Sequence, residues 1–140
     1  MENKIEVSDK VKQAYDIAIK ARSHAHAPYS KFQVGSALKI SGVEDPIPGC
    51  NVENASYGGT ICAERGSVLS SVAQFGKKDF EFIVVVTDQE DPAVPCAFCL
   101  QVMSEFVKAD FPVYLGNLKG ITKKVLFKEL LPHPFTEFTV

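Results

Sequence analysis

Clusters of positive charge are missing from this sequence. Its 140 residues include 15 lysines and arginines against 17 acidic residues, for a net charge of -2. The basic residues gather in nothing larger than pairs such as Lys77-Lys78 and Lys123-Lys124. A protein that binds a phosphate backbone needs a basic stripe on its surface. We therefore expect no nucleic-acid partner.

Long apolar stretches are missing as well. The longest apolar run, near residues 83–86, is far shorter than the roughly 20 residues of a membrane-spanning helix. Residues 1–12 are too highly charged for a secretory signal. We therefore expect no membrane partner and a cytoplasmic location. Disulfides rarely persist there, so a cysteine pattern more often serves metal binding or catalysis.

The chain has the size and composition of one folded domain. Hydrophobic residues make up 46% and charged residues 23%, which is typical of a globular protein. A chain of this length buries about two-thirds of the surface that its unfolded form exposes. No internal repeat, low-complexity tract or linker interrupts the sequence. We expect a single domain spanning residues 1–140.

Hydrophobic periodicity predicts a hairpin followed by strands that alternate with helices. A helical period runs from Ser8, the expected N-cap, to about residue 27, just before Pro28. Alternation over residues 32–40 predicts a half-buried strand, and the valines of residues 80–87 predict a strand buried on both faces. The other predicted elements are strands at 47–51, 113–115 and 121–127 and helices at 62–75, 97–106 and around Leu130-Leu131. This order favours an α/β fold, a three-layer α/β/α arrangement with a mixed central sheet of about five strands.

Three cysteines at predicted helix starts are the most informative residues. Cys62 begins one helix, and Cys96 and Cys99, in a C-x-x-C spacing, begin another. A helix N-terminus favours thiolate over thiol, and two such helices side by side on a sheet would bring the sulfurs together. Three thiolates suit Zn²⁺ and leave its fourth tetrahedral position open for water. The pattern predicts a catalytic zinc site.

A glutamate accompanies this site. Glu64 lies two residues after Cys62 in the same first helical turn, close to the metal but displaced from the ligand direction. Its carboxylate could take a proton from water at the open position and pass it to a substrate nitrogen. We interpret Glu64 as the proton carrier.

Two other interpretations of the cysteines remain open. A lone C-x-x-C also serves as a redox pair, although that motif usually follows a first strand near the start of the chain. Cys50 could complete a closed, four-thiolate structural zinc site. Such sites usually use two closely spaced pairs, however, and Cys50 and Cys62 are too far apart to form one. Cys50 otherwise fits a small buried core residue.

The two motifs together resemble the zinc signature of the cytidine deaminase superfamily. These motifs are Cys62-Ala63-Glu64 and Pro95-Cys96-x-x-Cys99. With cysteine at the first ligand position, the motif is similar to that of the small homotetrameric cytidine deaminases that act on free nucleosides. The resemblance covers residues 11–135, because further segments are also similar: A-P-Y-S-K-F at 27–32, G-C-N-V-E-N-A-S-Y at 49–57 and E-L-L-P at 129–132.

The resemblance implies an activity and an assembly. The implied reaction is zinc-dependent hydrolytic deamination of cytidine or deoxycytidine to uridine or deoxyuridine plus ammonia, as in pyrimidine salvage. The implied assembly is a homotetramer with active sites at subunit contacts. Cys62, Cys96 and Cys99 would bind zinc, Glu64 would shuttle protons, and Arg65 would offset the charge of the thiolates.

The resemblance also implies which residues bind the nucleoside. Phe32 would stack on the pyrimidine, Asn51 and Glu53 would hydrogen-bond the ribose 3′-hydroxyl, and the Ala63 backbone N–H would bind the ring carbonyl. Tyr57 and Phe135 would complete the pocket of a neighbouring subunit.

The second motif departs from the usual pattern. The family commonly has Gly and Ala between the two cysteines and Arg after the second, whereas this chain has Ala97, Phe98 and Leu100. Arg65 is then the matching arginine that remains. The departure leaves two alternatives open: a deaminase of another small amino-heterocycle or nucleoside analogue, and a non-catalytic zinc-stabilised domain closed by Cys50.

Overall fold

The computed structural model describes residues 4–139, which form one five-stranded sheet with helices on both faces. The helices are α1 (Asp9–Arg22), α2 (Ala63–Phe75), α3 (Ala97–Met103) and α4 (Phe127–Leu130). The strands are β1 (Gly35–Ile40), β2 (Ile47–Cys50), β3 (Phe80–Val86), β4 (Pro112–Asn117) and β5 (Gly120–Leu126). A 3₁₀ turn covers Tyr57–Gly59. No helix among the described residues is long and apolar enough to cross a membrane.

The sheet is mixed, as the sequence predicts. Its strand order is β2-β1-β3-β4-β5. The β3–β4 pair is parallel, and the other three pairs are antiparallel. One apolar core joins α1 to one face of the sheet, and the other joins α2 and α3 to the opposite face. The predicted three-layer α/β/α arrangement is therefore confirmed.

Strand β1 is more buried than its alternating sequence indicates. All six of its residues are buried. Ala37 belongs to the α1 core, whereas Leu38 and Ile40 belong to the core on the α2 side. The prediction of a half-buried strand is wrong, because small residues on the second face let a helix pack there too. Ser36 can be buried because its hydroxyl bonds to α2, donating to the Ala63 carbonyl at 2.8 Å.

Helix α1 begins as predicted and ends earlier. Ser8 is its N-cap, with its hydroxyl accepting from the Val11 N–H at 3.3 Å. The helix stops at Arg22 rather than near residue 27. His26 instead pairs with the segment around Val52, because its N–H donates to the Asn51 carbonyl and its own carbonyl accepts from the Glu53 N–H. These contacts with a distant segment replace further helical turns.

Other boundaries shift in the same way. Strand β1 begins at Gly35 instead of residue 32, α3 ends at Met103 instead of 106, and β4 extends beyond the predicted 113–115 in both directions. The late start of β1 results from a contact with a distant segment: the side chain of Asn51 binds backbone groups on both Phe32 and Val34. Those groups are therefore unavailable to a neighbouring strand.

The close packing of α2 on the hairpin requires a glycine. A Cβ at Gly49 would overlap the Ala63 carbonyl oxygen and lie 2.7 Å from the Ser67 backbone nitrogen. Ser67 also lies 2.6 Å from Ser36, hydroxyl to hydroxyl, so β1 and β2 both contact the first turns of α2. The position of the α2 N-terminus thus depends on a backbone approach that only glycine permits.

We predict that Gly49→Ala lowers the free energy of unfolding by about 3 kcal/mol or more, because its methyl group meets backbone atoms that cannot rotate away. The matched control is Gly58→Ala, whose added Cβ has no atom within 4 Å. Urea denaturation of both variants at one pH measures the difference. Equal urea-denaturation midpoints for the two variants would contradict the prediction, because they would show that α2 can move away from β2 without loss of stability.

Candidate active site

Three cysteine thiols converge where two helices begin. Cys62 is the N-cap of α2, Cys96 is the N-cap of α3, and Cys99 lies in the first turn of α3. The Cys62 and Cys96 sulfurs are 3.7 Å apart, and those of Cys96 and Cys99 are 3.6 Å apart. All three sulfurs lie within 4.8 Å of one another. The structure therefore brings together the three predicted ligands.

This spacing fits a zinc ion. A Zn–S bond of about 2.3 Å and tetrahedral angles put two thiolates about 3.8 Å apart, close to the two separations above. A disulfide would require about 2.05 Å, and all the cysteines are free. Three thiolates fill three of four tetrahedral positions. The donor set thus fits Zn²⁺ with one position left for a water molecule.

The local electrostatics favour thiolate at this point. Cys62 and Cys96 both have extended backbone conformations and make no side-chain cap hydrogen bond, so neither sulfur is engaged with the first-turn N–H groups. Hydrogen bonding from the Cys99 thiol, with further contributions from Arg65 and Cys96, lowers the pKa of Cys62 to about 5. Unpaired N–H groups and the positive ends of both helices act in the same direction. Cys62 is thus the sulfur most ready to bind a cation, whereas its hydrogen bond to Cys99, together with burial, raises the pKa of the Cys99 thiol.

Cys50 lies outside this cluster. Among residues 4–139, the group able to hold a metal consists of Cys62, Cys96 and Cys99. Cys50 ends β2 and is half-buried beside α1 rather than in either core, so the expectation of a buried core residue is wrong. A closed site with Cys50 as fourth ligand receives no support from this geometry.

Glu64 is buried against the sulfurs. Its side chain is 5% exposed, and one carboxylate oxygen accepts from the Cys99 thiol at 3.8 Å. Burial raises the pKa of Glu64 to about 7, with the negative charge at Cys62 adding to the effect. A carboxyl group that titrates near neutrality both accepts and donates protons under working conditions. The position suits a proton carrier beside a metal-bound reactant.

A cavity of about 310 Å³ opens onto the thiols of Cys62 and Cys96. This volume is at the lower end of the range for small-molecule sites. Its lining includes four of the residues that the resemblance assigns to substrate binding: Phe32, Asn51, Glu53 and Ala63. Cys62, Cys96 and Glu64 also line it, as do apolar side chains such as Val85 and Val94. The cavity therefore brings together the polar side chains of Asn51 and Glu53, the ring of Phe32 and two of the metal-ligating thiols.

Asn51 has a second role that its sequence pattern does not predict. Its side-chain oxygen accepts from the Val34 N–H at 2.8 Å, and its amide nitrogen donates to the Phe32 carbonyl at 2.7 Å. Asn51 is 7% exposed. One N–H and one lone pair are left to meet a ligand. Asn51 therefore holds the backbone of Phe32 in place as well as lining the cavity.

Glu53 acts in a similar way on the preceding turn. Its carboxylate accepts from the N–H groups of Tyr29 and Ser30 and from the Ser30 hydroxyl. The Ser30 hydroxyl bond is the main cause that holds the pKa of Glu53 below its usual value. Lys31, which follows Ser30, has a φ of 61°, a left-handed conformation that is uncommon for a side-chain-bearing residue. Glu53 thus stabilises the turn that leads into Phe32.

Tyr57 and Phe135 lie outside the cavity of their own chain. Tyr57 is 73% exposed and Phe135 is 63% exposed. The Tyr57 ring forms a T-shaped pair with Tyr29, at 5.6 Å between centroids, and Phe135 stacks on Phe138. Gln101 of α3 anchors the tail by donating to the Phe135 carbonyl at 2.6 Å. Within one chain, Tyr57 shares a neighbouring cavity with Glu53, but neither Tyr57 nor Phe135 lines the cavity beside the thiols.

Arg65 contacts the cluster, whereas Leu100 turns away from it. Arg65 donates to the Cys62 sulfur at 3.5 Å and to the Thr60 carbonyl at 3.3 Å. Leu100 is 6% exposed and belongs to the apolar core under α2 and α3. An arginine at position 100 would have to place its charge at the edge of that core. Arg65 is accordingly the cationic side chain seen to bond a sulfur among the described residues.

Comparison with known proteins places this geometry in a family. Residues 8–115 match the family model described as the cytidine and deoxycytidylate deaminase zinc-binding region. This span contains the three cysteines and Glu64. Phe135 and the rest of the C-terminal tail lie beyond it.

Individual relatives match over most of their length. A cytidine deaminase from Halalkalibacterium halodurans is 48% identical over 119 residues, covering 85% of this chain and 89% of the relative. A probable cytidine deaminase from Dictyostelium discoideum is 38% identical over 130 residues, covering 92% and 86%. The crystal structure of a cytidine deaminase from Burkholderia pseudomallei superposes with a TM-score of 0.81 at 37% identity, covering 92% of this chain and all of the other.

We predict that Asn51→Asp destabilises the fold by about 2 kcal/mol. The substitution keeps the acceptor for Val34 but sets a carboxylate oxygen against the Phe32 carbonyl, where a donor is needed. Asn54→Asp is the control, because Asn54 is exposed and uses only its acceptor, toward the Ser56 N–H at 2.8 Å. Thermal denaturation compares the two variants. Equal stabilities would contradict the role of Asn51 in holding Phe32.

Proposed function

Because the chain belongs to the cytidine and deoxycytidylate deaminase family, we propose that it removes the exocyclic amino group of free cytidine or deoxycytidine by hydrolysis. The products are uridine or deoxyuridine and ammonia, which places the reaction in pyrimidine salvage. The enzyme works as a single domain in the cytoplasm, where its thiols stay reduced.

The observation that carries this proposal is one buried carboxylate beside three thiols at the end of a small cavity. Three protein ligands leave a metal position free for a reactant, which a structural zinc site would not do. Glu64 contacts the Cys99 sulfur without belonging to the group of metal ligands. The cavity beside these groups provides the space that a nucleoside-sized substrate requires.

The reaction requires water to be activated and two protons to be relocated. Zinc, when bound by Cys62, Cys96 and Cys99, supplies the Lewis acidity that lets water lose a proton near neutral pH. Glu64 accepts that proton as the water oxygen bonds to C4 of the ring. Glu64 delivers this proton to N3, then takes the remaining proton from the new hydroxyl on C4 and passes it to the departing amino group. The C4–N bond breaks, so the two protons of water end on N3 and in ammonia.

The cavity residues orient the base and the sugar. Phe32 offers a flat face for stacking, which contributes about 1–3 kcal/mol for one base. The Ala63 N–H, at the start of α2, is one of the first-turn donors without an intrahelical partner and binds the ring carbonyl. Asn51 and Glu53 bind the ribose 3′-hydroxyl with the hydrogen-bonding capacity that their backbone contacts leave free.

The proposed assembly is a homotetramer in which subunits complete one another's pockets. Exposed aromatic side chains support this arrangement, since Tyr57, Phe135 and Phe138 all expose more than half of their surface in the single chain. Such a group of exposed apolar residues is typical of an interaction surface. Tyr57 and Phe135 reach the sugar side of a neighbouring cavity.

The alternatives find no support at the site. Phe98 is 75% exposed and is not among the residues that line the cavity, so its unusual size does not change the pocket of one chain. A domain closed by a fourth thiolate would need Cys50 in the cluster. A redox pair would not require the third sulfur of Cys62 at 3.7 Å.

We predict that Glu64→Gln lowers kcat by about three to four orders of magnitude, because the amide keeps the shape of the side chain but cannot carry a proton. Zinc content and KM change little. Glu105→Gln, an exposed glutamate just beyond α3, is the matched control and keeps normal turnover. A coupled assay for ammonia and a metal analysis measure both variants. Turnover within tenfold of the unsubstituted enzyme would overturn the assignment of Glu64.

Subunit sharing of the pocket predicts complementation between two weak variants. Chains with Glu64→Gln and chains with Phe135→Ala each lack one part of every site. With random one-to-one mixing, on average about a quarter of the sites combine an intact Glu64 with an intact Phe135 from a neighbour, because each condition is met by about half of the chains. Co-expression should therefore give more activity than the sum of the two separate variants.

The contrary result is equally informative. If the mixed protein, confirmed as hybrid by native mass spectrometry, shows only the summed activity, Phe135 does not act across a subunit contact. A wild-type and Glu64→Gln mixture provides the reference for the dilution of active chains.

A further inference from the structure

The contacts of Arg65 are incomplete in a way that calls for a further partner. Its Nη2 donates to the Cys62 sulfur and the Thr60 carbonyl. Its Nε is buried and has no hydrogen-bond acceptor among residues 4–139. Two long contacts, at 3.5 Å and 3.3 Å, hold the Nη2 end of this side chain. A further contact would limit the rotation of the guanidinium.

An aromatic ring from the second helix occupies the required position. Phe98, the second residue of α3, places its ring centroid 5.7 Å from Cζ of Arg65. This distance is within the range of cation–π contacts. Phe98 lies between Cys96 and Cys99, while Arg65 follows Cys62 by three residues. The pair therefore connects the two helices whose N-termini supply the ligands.

The exposure of Phe98 excludes a role in the core of its own chain. The side chain is 75% exposed and belongs to neither apolar core. A leucine or lysine would be less costly there if only helix formation mattered, because aromatic residues lose side-chain freedom in a helix. The ring face toward Arg65 is the specific contact that the structure gives to Phe98.

We propose that Phe98 is a positioning residue that holds the Arg65 guanidinium against the Cys62 sulfur. Three thiolates with Zn²⁺ carry a net charge of -1, and a restrained guanidinium at the cluster offsets it. An unrestrained arginine would spend part of its time in solvent, where its charge is screened. The inference rests on the proposed function only in taking zinc as the metal.

The test uses the fact that the chain contains two arginines, Arg22 and Arg65. Arginine-selective nitrogen-15 labelling of the zinc-loaded protein gives one Nε–H signal for each. Arg22 is an internal reference, since its Nε donates to the Gln33 carbonyl at 3.0 Å. In the unsubstituted protein, the ring of Phe98 shifts the Arg65 signal and its burial slows exchange with water.

The expected result is a change confined to Arg65. Phe98→Leu keeps an apolar side chain but removes the ring, so the Arg65 signal loses its ring shift and exchanges with water about two- to fivefold faster. Phe98→Trp restores both properties, because tryptophan is the strongest cation–π partner. Phe75→Leu, an exposed phenylalanine at the end of α2, leaves both signals unchanged.

A double-mutant cycle connects the contact to catalysis. Phe98→Leu lowers kcat by about two- to fivefold with little change in KM. The same substitution has no further effect in an Arg65→Gln background, because its action passes through the guanidinium. The proposal is overturned if the Arg65 signal is unchanged in Phe98→Leu, if tryptophan fails to restore it, or if the two substitutions act additively.

A role of Phe98 in assembly is tested on the same variants. The mass of the assembly is measured for each of them, and a changed mass with an unchanged Arg65 signal would identify Phe98 as a subunit-contact residue instead. The nuclear magnetic resonance measurement needs no substrate. It therefore tests the positioning of Arg65 even if cytidine proves to be the wrong substrate.

Discussion

Three thiols can share one metal ion only if two separate helices begin within a few ångströms of each other. The helix that carries Cys62 is bound to the sheet by hydrogen bonds of the Ser36 hydroxyl, one of them to the Ser67 hydroxyl. The helix approaches the hairpin closely because Gly49 has no side chain. The helix that carries Cys96 and Cys99 lies beside it. The same convergence places a buried carboxylate, an arginine and two helix dipoles at one point. The chemistry of the site follows from this packing of backbone against backbone.

The other half of the site is built from a loop rather than from a regular element. Phe32 precedes the first strand, on a segment whose backbone is bound by side chains from the end of the hairpin. The side chain of Asn51 hydrogen-bonds the backbone of Phe32 and Val34. The carboxylate of Glu53 accepts three hydrogen bonds from Tyr29 and Ser30, in the turn that precedes Phe32. These polar side chains do what strand pairing would otherwise do, and they leave the aromatic face directed at the cavity. Stability and substrate binding therefore depend on the same residues.

The parts of this account that the sequence predicts are those with short-range causes. Cysteines at helix starts, a glutamate in the first turn and an N-cap at Ser8 all depend on neighbouring residues. The order of strands and helices likewise determines the layered fold. What the sequence does not predict depends on contacts between distant segments. The early end of the first helix, the late start of the first strand and the contact between Arg65 and Phe98 are all of this kind.

The most direct test of the account is the reaction of the zinc-loaded protein with cytidine in oxygen-18-labelled water. We expect equal amounts of ammonia and uridine, with one labelled oxygen at C4 of the pyrimidine ring. We also expect that the reaction stops when zinc is removed and resumes when zinc is restored. No ammonia from a protein that holds its zinc, or an unchanged rate after the metal is stripped, would contradict the central claim that this cluster of three thiols and one carboxylate hydrolyses the amino group of cytidine.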